Sequence, residues 1–395
     1  MIPVNEPLLG ANTQTYVLDC LNTGWISSAG SYIRRFEEAF AAFVGVKHAV
    51  TTTSGTTALH LALASLGIGP GDEVIVPDLT MIAVPYAVLY TGAQPILLDV
   101  DPETFNLDPD RLREFIHKWC RFDSGRNALV HKRTGGAVRA VLPVHLYGHP
   151  CRMDEILDLA RENNLLVVED AAEAHGALYL SGRLPSPLPA GSMGDAGCFS
   201  FYANKIITTG EGGMVVTDSD ATAERCRRLK DLAHSPERRF LHTDLAYNYR
   251  MTNVQAAIGL AQVEEVERFI ALKRKMAEAY HRGLSGIDGL TLPLEKPWGR
   301  SVYWMYAVLV EKSFGLACED LTARLKEKGV DTRTFFVPVH EQPVFRKDFL
   351  PGEDAFPVSV ELSKKGFYLP SGLALTPEQI DEVCRAVEAV RRSRP

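Results

Sequence analysis

Residues 58–77, ALHLALASLGIGPGDEVIVP, join two short elements of different kinds. The first part is apolar with helical spacing and stops at Gly67, whereas the last part, EVIVP, is a β-branched run typical of a strand. A helix that leads directly into a buried strand is the repeating unit of α/β proteins. This stretch therefore predicts an α/β fold.

The same alternation of helix and strand extends from about residue 50 to residue 217. A second helix is predicted over 81–93, MIAVPYAVLYTGA. Further strands are predicted at QPILLDVD, RAVLPVHLYG, NLLVVEDAA, GCFSFY and GGMVVTD. This pattern indicates a mostly parallel sheet covered by helices. Polar segment 117–138 interrupts the alternation, and we expect it to form a surface excursion.

The chain after about residue 286 has the pattern of a second, smaller α/β unit. Its predicted elements are the strand YWMYAVLVE, the helix EDLTARLKEKG, the extended stretch VDTRTFFVPVH and the closing helix TPEQIDEVCRAVEAVRR. An amphipathic helical stretch precedes it. We therefore predict a large domain over 1–250, a linking helix over 251–285 and a small C-terminal domain over 286–395.

Composition narrows the class of protein. The chain has 395 residues and a formal net charge of −7, and its basic residues are dispersed, which argues against a nucleic-acid partner. No apolar run reaches membrane-spanning length, so no membrane partner is expected. The seven cysteines are scattered without a C-x-x-C pair, which favours a reducing compartment. We expect a cytoplasmic protein.

Three polar motifs follow predicted strands. They are SGTT at 54–57, Asp170 and Lys205. Ligands of such sheets bind beyond the carboxyl ends of the strands, so we expect the three motifs to converge. The N–H groups of Gly55, Thr56 and Thr57 would point out of a helix N-terminus and form a cup for a phosphate. The simpler interpretation is that Ser54 or Thr56 only caps the helix.

A carboxylate at the end of a buried strand needs a partner, and Asp170 has four candidate roles. It could belong to a glycosidase-like carboxylate pair, bind a metal with His145 and His149, face a protonated heterocycle, or cap a following helix. His145 and His149 lie in VHLYGHP, a strand end and loop rather than a helix. We therefore predict no metal site.

Lys205 lies in FSFYANKIITTGEGGM, residues 199–214, between an aromatic strand and a glycine-rich loop. A lysine amine shielded by apolar neighbours is a good nucleophile, as a Schiff base with pyridoxal phosphate requires. That cofactor also needs an acid beside its pyridine nitrogen and a phosphate cup. Asp170 meets the first need, and SGTT with Ser200 meets the second. Each residue alone has an ordinary structural explanation, and only their combination indicates this cofactor.

These residues resemble the DegT/StrS family of pyridoxal phosphate-dependent sugar-nucleotide aminotransferases, which have the aspartate aminotransferase fold, fold type I of these transferases. The likeness covers nearly the whole chain. It is carried by SGTTALHLAL, GDEVIVPDLT, PVHLYGHPCRMDEI, VVEDAAEAHGA, GSMGDAGCFSFYANKIITTGEGGM and YNYRMTNVQAAIGLAQVE. The motifs NKIITTGEGGM and RTFFVPVH are most similar to members that make perosamine, the 4-amino-4,6-dideoxymannose of bacterial O-antigens.

The resemblance implies roles for individual residues. Lys205 matches the Schiff-base lysine, Asp170 the aspartate at the pyridine nitrogen, and Glu173 a position near the cofactor ring. The phosphate ligands it implies are Thr56, Thr57 and Ser200. Asn248 matches an asparagine that reaches the phosphate of the neighbouring subunit's cofactor, which implies a homodimer with shared active sites.

Two features depart from the family pattern. The position that stacks on the cofactor ring is usually aromatic, whereas this chain has Met81, which could instead be a core methionine at the start of a helix. Segment 117–138 is longer than in typical perosamine synthases and resembles aminotransferases that act on UDP-linked sugars of nonulosonic-acid pathways.

The resemblance implies transfer of an amino group from L-glutamate to a nucleotide-linked keto sugar, GDP-4-keto-6-deoxymannose. Arg250 and Arg333 are candidates for substrate binding, because guanidinium suits both diphosphate and carboxylate. His340 is a further candidate for substrate binding. The alternatives are a UDP-sugar aminotransferase, a sugar dehydratase and a non-catalytic nucleotide-sugar sensor. A dehydratase of this family carries histidine in place of Lys205, and a sensor would be expected to lose Lys205 or Asp170.

Overall fold

The computed structural model describes residues 1–235, 237–238, 240–345 and 356–393, which form a large unit and a smaller one. The strands are β1 (His48–Thr52), β2 (Asp72–Pro77), β3 (Gln94–Leu98), β4 (Cys120–Asp123), β5 (Ala128–His131), β6 (Ala137–Val141), β7 (Leu166–Asp170), β8 (Leu178–Tyr179), β9 (Leu188–Pro189), β10 (Ala196–Ser200), β11 (Gly213–Thr217), β12 (Leu290–Thr291), β13 (Gly299–Arg300), β14 (Tyr306–Val310), β15 (Arg333–Thr334) and β16 (Gly366–Leu369). The helices are α1 (Thr13–Thr23), α2 (Ser31–Val44), α3 (Gly55–Ser65), α4 (Ala83–Tyr90), α5 (Pro109–Trp119), α6 (Met153–Glu162), α7 (Asp220–Lys230), α8 (Asn253–Val263), α9 (Val266–Leu284), α10 (Cys318–Glu327), α11 (Pro357–Lys365) and α12 (Pro377–Arg392). Short 3-10 helices occupy Leu146–Gly148, Lys312–Phe314 and Val339–Glu341.

The large unit is built on one sheet with the strand order β1-β11-β10-β7-β6-β2-β3. Along this path β11 runs antiparallel to both of its neighbours, and the other neighbouring pairs are parallel. The predicted mostly parallel sheet is therefore confirmed. Every predicted strand between residues 50 and 217 is present, and the helix predicted to stop at Gly67 ends at Ser65, with Gly67 at φ 80°.

Helices cover both faces of this sheet. Val74 and Val76 of β2 belong to a core shared with α2, α3 and α8, whereas Ile75 between them belongs to a core shared with α5 and α6. Because successive side chains of a strand point to opposite faces, a strand covered on both sides is apolar throughout. This explains why EVIVP reads as a continuous apolar run.

Segment 117–138 is not the surface excursion that the sequence predicts. Strands β4 and β5 form an antiparallel hairpin, and β5 pairs antiparallel with β6. All four residues of β5 are buried. The segment therefore extends the main sheet, and its polar residues lie mostly at the turns and on the outer side of the hairpin.

Parallel pairing brings several strand ends to one edge of the sheet. Thr52, Asp170 and Ser200 end β1, β7 and β10, which all run in the same direction. Helix α3 begins at Gly55, directly after β1, so its N-terminus lies at this same edge. The fold thus brings the predicted cup, carboxylate and lysine loop to one side of the molecule.

The smaller unit has an antiparallel sheet of order β12-β14-β16-β15. It has its own core, in which Tyr280 of α9, Tyr306 of β14 and Val387 of α12 are buried. The predicted smaller α/β unit is present, although α11 and β16 were not predicted.

The connection between the units differs from the predicted single helix over 251–285. It consists of two helices, α8 and α9, separated at residues 264–265. Phe269 in the first turns of α9 packs in the core of the large unit, and Tyr280 packs in the core of the small unit. The amino-terminal segment also crosses over, since Ile2 forms a parallel bridge with Val330.

Within the described ranges, no helix is both long enough and apolar enough to cross a bilayer.

Candidate active site

Asp170 is the last residue of β7 and is buried. Its Oδ1 accepts a hydrogen bond of 2.9 Å from the N–H of Ala172. Residues 171–177 form turns rather than a helix, so the interpretation of Asp170 as a helix cap is wrong. Burial raises the pKa of Asp170, while the Ala172 N–H and the nearby ammonium of Lys205 act in the opposite direction.

Lys205 lies in the turn after β10, where its backbone N–H donates to the carbonyl of Tyr202. Its Nζ is 3.5 Å from Oε1 of Glu173, and both side chains are largely buried. Oε2 of Glu173 accepts a hydrogen bond of 2.8 Å from the N–H of Tyr147. Burial raises the pKa of Glu173, and the charge of Lys205 counteracts this rise. The structure therefore brings together Lys205 and Glu173, a contact that the sequence analysis did not predict.

Trp304 completes the surroundings of the lysine and was not predicted. The Nζ of Lys205 lies 3.8 Å from the centroid of the Trp304 ring. The indole Nε1 donates a 2.8 Å hydrogen bond to the carbonyl of Asn204, the residue before Lys205. Tyr147, also not predicted, stacks on Trp304 with the ring planes 15° apart and has φ 52°. Both residues look like ordinary core aromatics in the sequence.

The SGTT motif forms both a helix cap and an open helix N-terminus. Ser54 and Thr57 make a reciprocal capping box, so the capping interpretation of Ser54 is correct and the Thr57 hydroxyl is used in the cap. The N–H groups of Gly55 and Thr56, at the first two positions of α3, have no acceptor within the helix. Ser200 lies against Gly55, where an added Cβ would be 2.8 Å from the Ser200 Cβ.

His145 and His149 face protein partners. Nε2 of His145 lies 2.9 Å from Glu169, and the N–H of Cys151 donates to its Nδ1, which places the ring proton on Nε2. Glu169 also accepts hydrogen bonds from the backbone at residues 191, 193 and 194. Nδ1 of His149 bonds the Pro150 carbonyl. These histidines thus hold the loops behind Asp170.

The predicted substrate residues lie in three different places. Arg250 pairs with Asp231 at 2.9 Å and donates to Oδ1 of the exposed Asn248 at 3.1 Å. Arg333 pairs with Asp331 at 2.8 Å and is exposed.

His340 and Arg333 each have a contact that relates them to the sheet edge. His340 bonds Oδ2 of the buried Asp78, just after β2, through Nδ1 at 2.7 Å. Arg333 stands opposite Tyr368 across β15 and β16, and the Tyr368 ring lies 5.9 Å from that of Tyr147.

Met81 follows β2 at the same edge of the sheet and is 49% exposed. The alternative that it is a core methionine is therefore wrong. An exposed thioether at this edge is available to a ligand, which keeps the ring-stacking prediction open to test.

Comparisons with known proteins agree with this architecture. The model of the DegT/DnrJ/EryC1/StrS aminotransferase family matches residues 7–388. The chain is 43% identical to a GDP-perosamine synthase of Caulobacter vibrioides, over 98% of both chains. It is 39% identical to a GDP-perosamine synthase of Escherichia coli O157:H7, over 98% of this chain and 97% of the relative.

Among solved structures, S. venezuelae DesV superposes with a TM-score of 0.84 at 33% identity, covering 96% of this chain and 94% of the other. The predicted fold and the resemblance stated from the motifs are both confirmed. The chain belongs to the DegT/DnrJ/EryC1/StrS aminotransferase family.

Proposed function

We propose that this aminotransferase uses pyridoxal phosphate to move the amino group of L-glutamate to C4 of GDP-4-keto-6-deoxymannose, forming GDP-perosamine for a surface polysaccharide. The observation that carries the proposal is Lys205, whose buried amine lies between Glu173 and Trp304 at the edge of the sheet. The printed names of both relatives support the GDP-linked sugar.

The residues at this edge fit the proposed cofactor. The free N–H groups at the start of α3 and the Ser200 hydroxyl are donors suited to a phosphate. No residue with a side chain fits at position 55 without moving Ser200. Glycine at this position therefore leaves the backbone accessible. Asp170 supplies a buried carboxylate for a protonated ring nitrogen, and Lys205 supplies the amine.

When bound, pyridoxal phosphate supplies an electron sink for the carbon that loses its proton. The Asp170 carboxylate would accept the hydrogen bond of a protonated ring nitrogen and keep that proton in place. The Nζ of Lys205 would hold the cofactor and, as a free amine, would take up and return the proton of the amine-bearing carbon. Glu173 orients Nζ, and the Trp304 ring, which is backed by Tyr147, covers Nζ on one side.

We assign recognition of the substrate anions to Arg250, Arg333 and His340, and the cover of one ring face to Met81. The exposed guanidinium of Arg333 suits the diphosphate of the nucleotide. The UDP-sugar alternative is not favoured, because segment 117–138, which suggested it, is a hairpin in the main sheet and both relatives carry GDP in their names.

We further infer a homodimer with active sites shared between subunits. Helix α1 and the residues that follow it expose the large apolar side chains Leu18, Leu21, Trp25 and Ile26, and the segment before Asn248 exposes Leu241 and Leu245. Exposed large apolar side chains in such number are typical of a protein interface. The resemblance implies that Asn248, three residues after Leu245, reaches the phosphate site of the partner subunit.

All seven cysteines are free thiols and are buried. Unpaired thiols persist in reducing compartments, which supports a cytoplasmic location.

The proposal is tested in two steps. Borohydride reduction followed by peptide mapping should place the cofactor label on Lys205, and Lys205→Ala should lose both the label and the visible absorbance while the exposed-lysine control Lys275→Ala keeps them. The purified protein is then assayed with glutamate against GDP-, UDP- and dTDP-linked 4-keto sugars. Label on another lysine would overturn the site, and turnover of only the UDP- or dTDP-linked sugars would overturn the substrate.

A further inference from the structure

Lys273 is a lysine on the buried face of α9. It lies in the KRK run of α9, where Lys275 is exposed, yet Lys273 is only 1% exposed. Burial lowers its pKa to about 7. A buried amine costs stability unless its hydrogen bonds are satisfied, so its partners inside the protein matter.

The amine is satisfied by backbone carbonyls. Nζ donates to the carbonyl of Trp304 at 2.8 Å and to the carbonyl of Ser371. Within the described residues it forms no ion pair with a carboxylate. The Ser371 hydroxyl accepts from the N–H of Tyr306, so the amine joins α9 to the segment before β14 and to the segment after β16.

The contacts continue from Trp304 to the active site. Its Nε1 donates to the carbonyl of Asn204, and its ring lies 3.8 Å from Nζ of Lys205. Trp304 is therefore held at its backbone by Lys273 and at its ring by the loop that carries Asn204 and Lys205. No other buried side chain among the described residues donates to the Trp304 carbonyl.

We propose that Lys273 is a positioning residue for Lys205, which it aligns by holding the backbone of Trp304. The proposal rests on the proposed function, since it concerns how readily Lys205 meets its cofactor. In either protonation state the amine keeps at least two N–H donors, so both carbonyls stay bound. The loss of this anchor would let the indole ring move away from Nζ.

The test measures capture of pyridoxal phosphate by the cofactor-free protein in a stopped-flow experiment, read as the rise of visible absorbance. A displacement of a reacting group by about 1 Å can slow a reaction about a hundred-fold. We therefore expect Lys273→Met to slow capture between about ten-fold and a hundred-fold. Lys275→Met, two residues along the same helix and exposed, should capture at the wild-type rate. Lys273→Gln, which keeps an N–H donor, should recover part of the rate.

A structural role alone would change the melting temperature and leave capture unaltered, so both are measured for each variant. Folded Lys273→Met with wild-type capture would overturn the proposal. Combining it with Trp304→Phe should give less than the product of the two single effects, because both act through one contact, and independent effects would also count against it. If Lys273→Met does not fold, Lys273→Gln carries the test by the same comparison. If the wild-type protein does not capture the cofactor at Lys205, the proposed function itself fails.

Discussion

Burial and charge act in opposite directions on the carboxyl group of Asp170. Burial raises its pKa, whereas the N–H of Ala172 and the ammonium of Lys205 favour the ionised form. Because a cationic ring nitrogen would also favour the ionised form, we expect the bound cofactor to hold Asp170 ionised.

Asp170→Asn should therefore leave the fold and much of the cofactor binding intact and reduce turnover by about a hundred-fold or more, since a neutral amide cannot keep the ring nitrogen protonated. The measurements are steady-state turnover and the absorbance spectrum of the bound cofactor. Asp158→Asn, on the surface of α6, serves as the control. Near-normal turnover of Asp170→Asn would show that Asp170 only stabilises its turn.

Lys273 gives a prediction for the dependence of stability on pH. Its folded-state pKa of about 7 lies below the ordinary value of 10.5, so between these values the unfolded chain binds a proton that the folded chain does not. The contribution of Lys273 to the free energy of unfolding should thus rise with pH, by about 4 kcal/mol between pH 7 and pH 10. Denaturant titrations of wild type and Lys273→Met should show their difference changing in favour of wild type as pH rises. A difference independent of pH would contradict the lowered pKa.

Residue type and position at strand ends were enough to predict that Asp170 and Lys205 lie at one edge of the sheet, whereas Glu173 was placed near the cofactor ring by the family resemblance. Neither argument predicted Trp304, whose ring lies against Lys205, or Tyr147, which stacks on that ring, because both come from distant segments and look like ordinary core residues. No local pattern distinguishes an aromatic ring that covers a reactive amine from one that fills a core.

The N-terminus of α3 carries both a helix cap and the proposed phosphate site, and it approaches β10 closely. A side chain at position 55 would place its Cβ 2.8 Å from the Cβ of Ser200. That distance is too short for two carbon atoms, so one of the two elements would have to shift.

We predict that Gly55→Ala displaces Ser200 from the start of α3 and weakens binding of pyridoxal phosphate by about ten-fold, the loss of about one charge-assisted hydrogen bond. Equilibrium titration of the cofactor-free protein measures the change. Gly69→Ala is the matched control, because the nearest atom to its added Cβ is 3.9 Å away. Equal affinities of the two variants would argue against a phosphate at this helix.

Elements with a strong period were predicted well, and those whose form depends on tertiary pairing were not. The β-branched runs of the main sheet are strands as expected. The hairpin of β4 and β5 was missed because its polar outer residues hide the buried β5. The break between α8 and α9 was missed because the sequence there stays helical in character, and Val263 before the break packs in the same core as Val266 after it.

At the scale of the whole molecule, the shared active sites predict complementation between inactive variants. Lys205→Ala and Asn248→Ala should each be inactive, and after mixing and re-association a mixed dimer should contain one intact site, restoring about one quarter of wild-type activity. The matched control is Lys205→Ala mixed with Asp170→Asn, which affect the same subunit's contribution and should show no recovery. Absence of recovery in the first mixture, or a fully active monomer by light scattering, would contradict the shared site.

Helix α9 and the amino-terminal segment each contribute to both units, which affects thermal unfolding. Val4 packs in the core of the large unit and Ile2 in that of the small one, and α9 contributes Phe269 to the first and Tyr280 to the second. Unfolding of either core would displace segments that also contribute side chains to the other core, and this couples the stabilities of the two units. Differential scanning calorimetry should therefore record one cooperative peak, with calorimetric and van't Hoff enthalpies equal for the unit that melts. Two separated peaks would mean that the two units unfold independently although they share these segments.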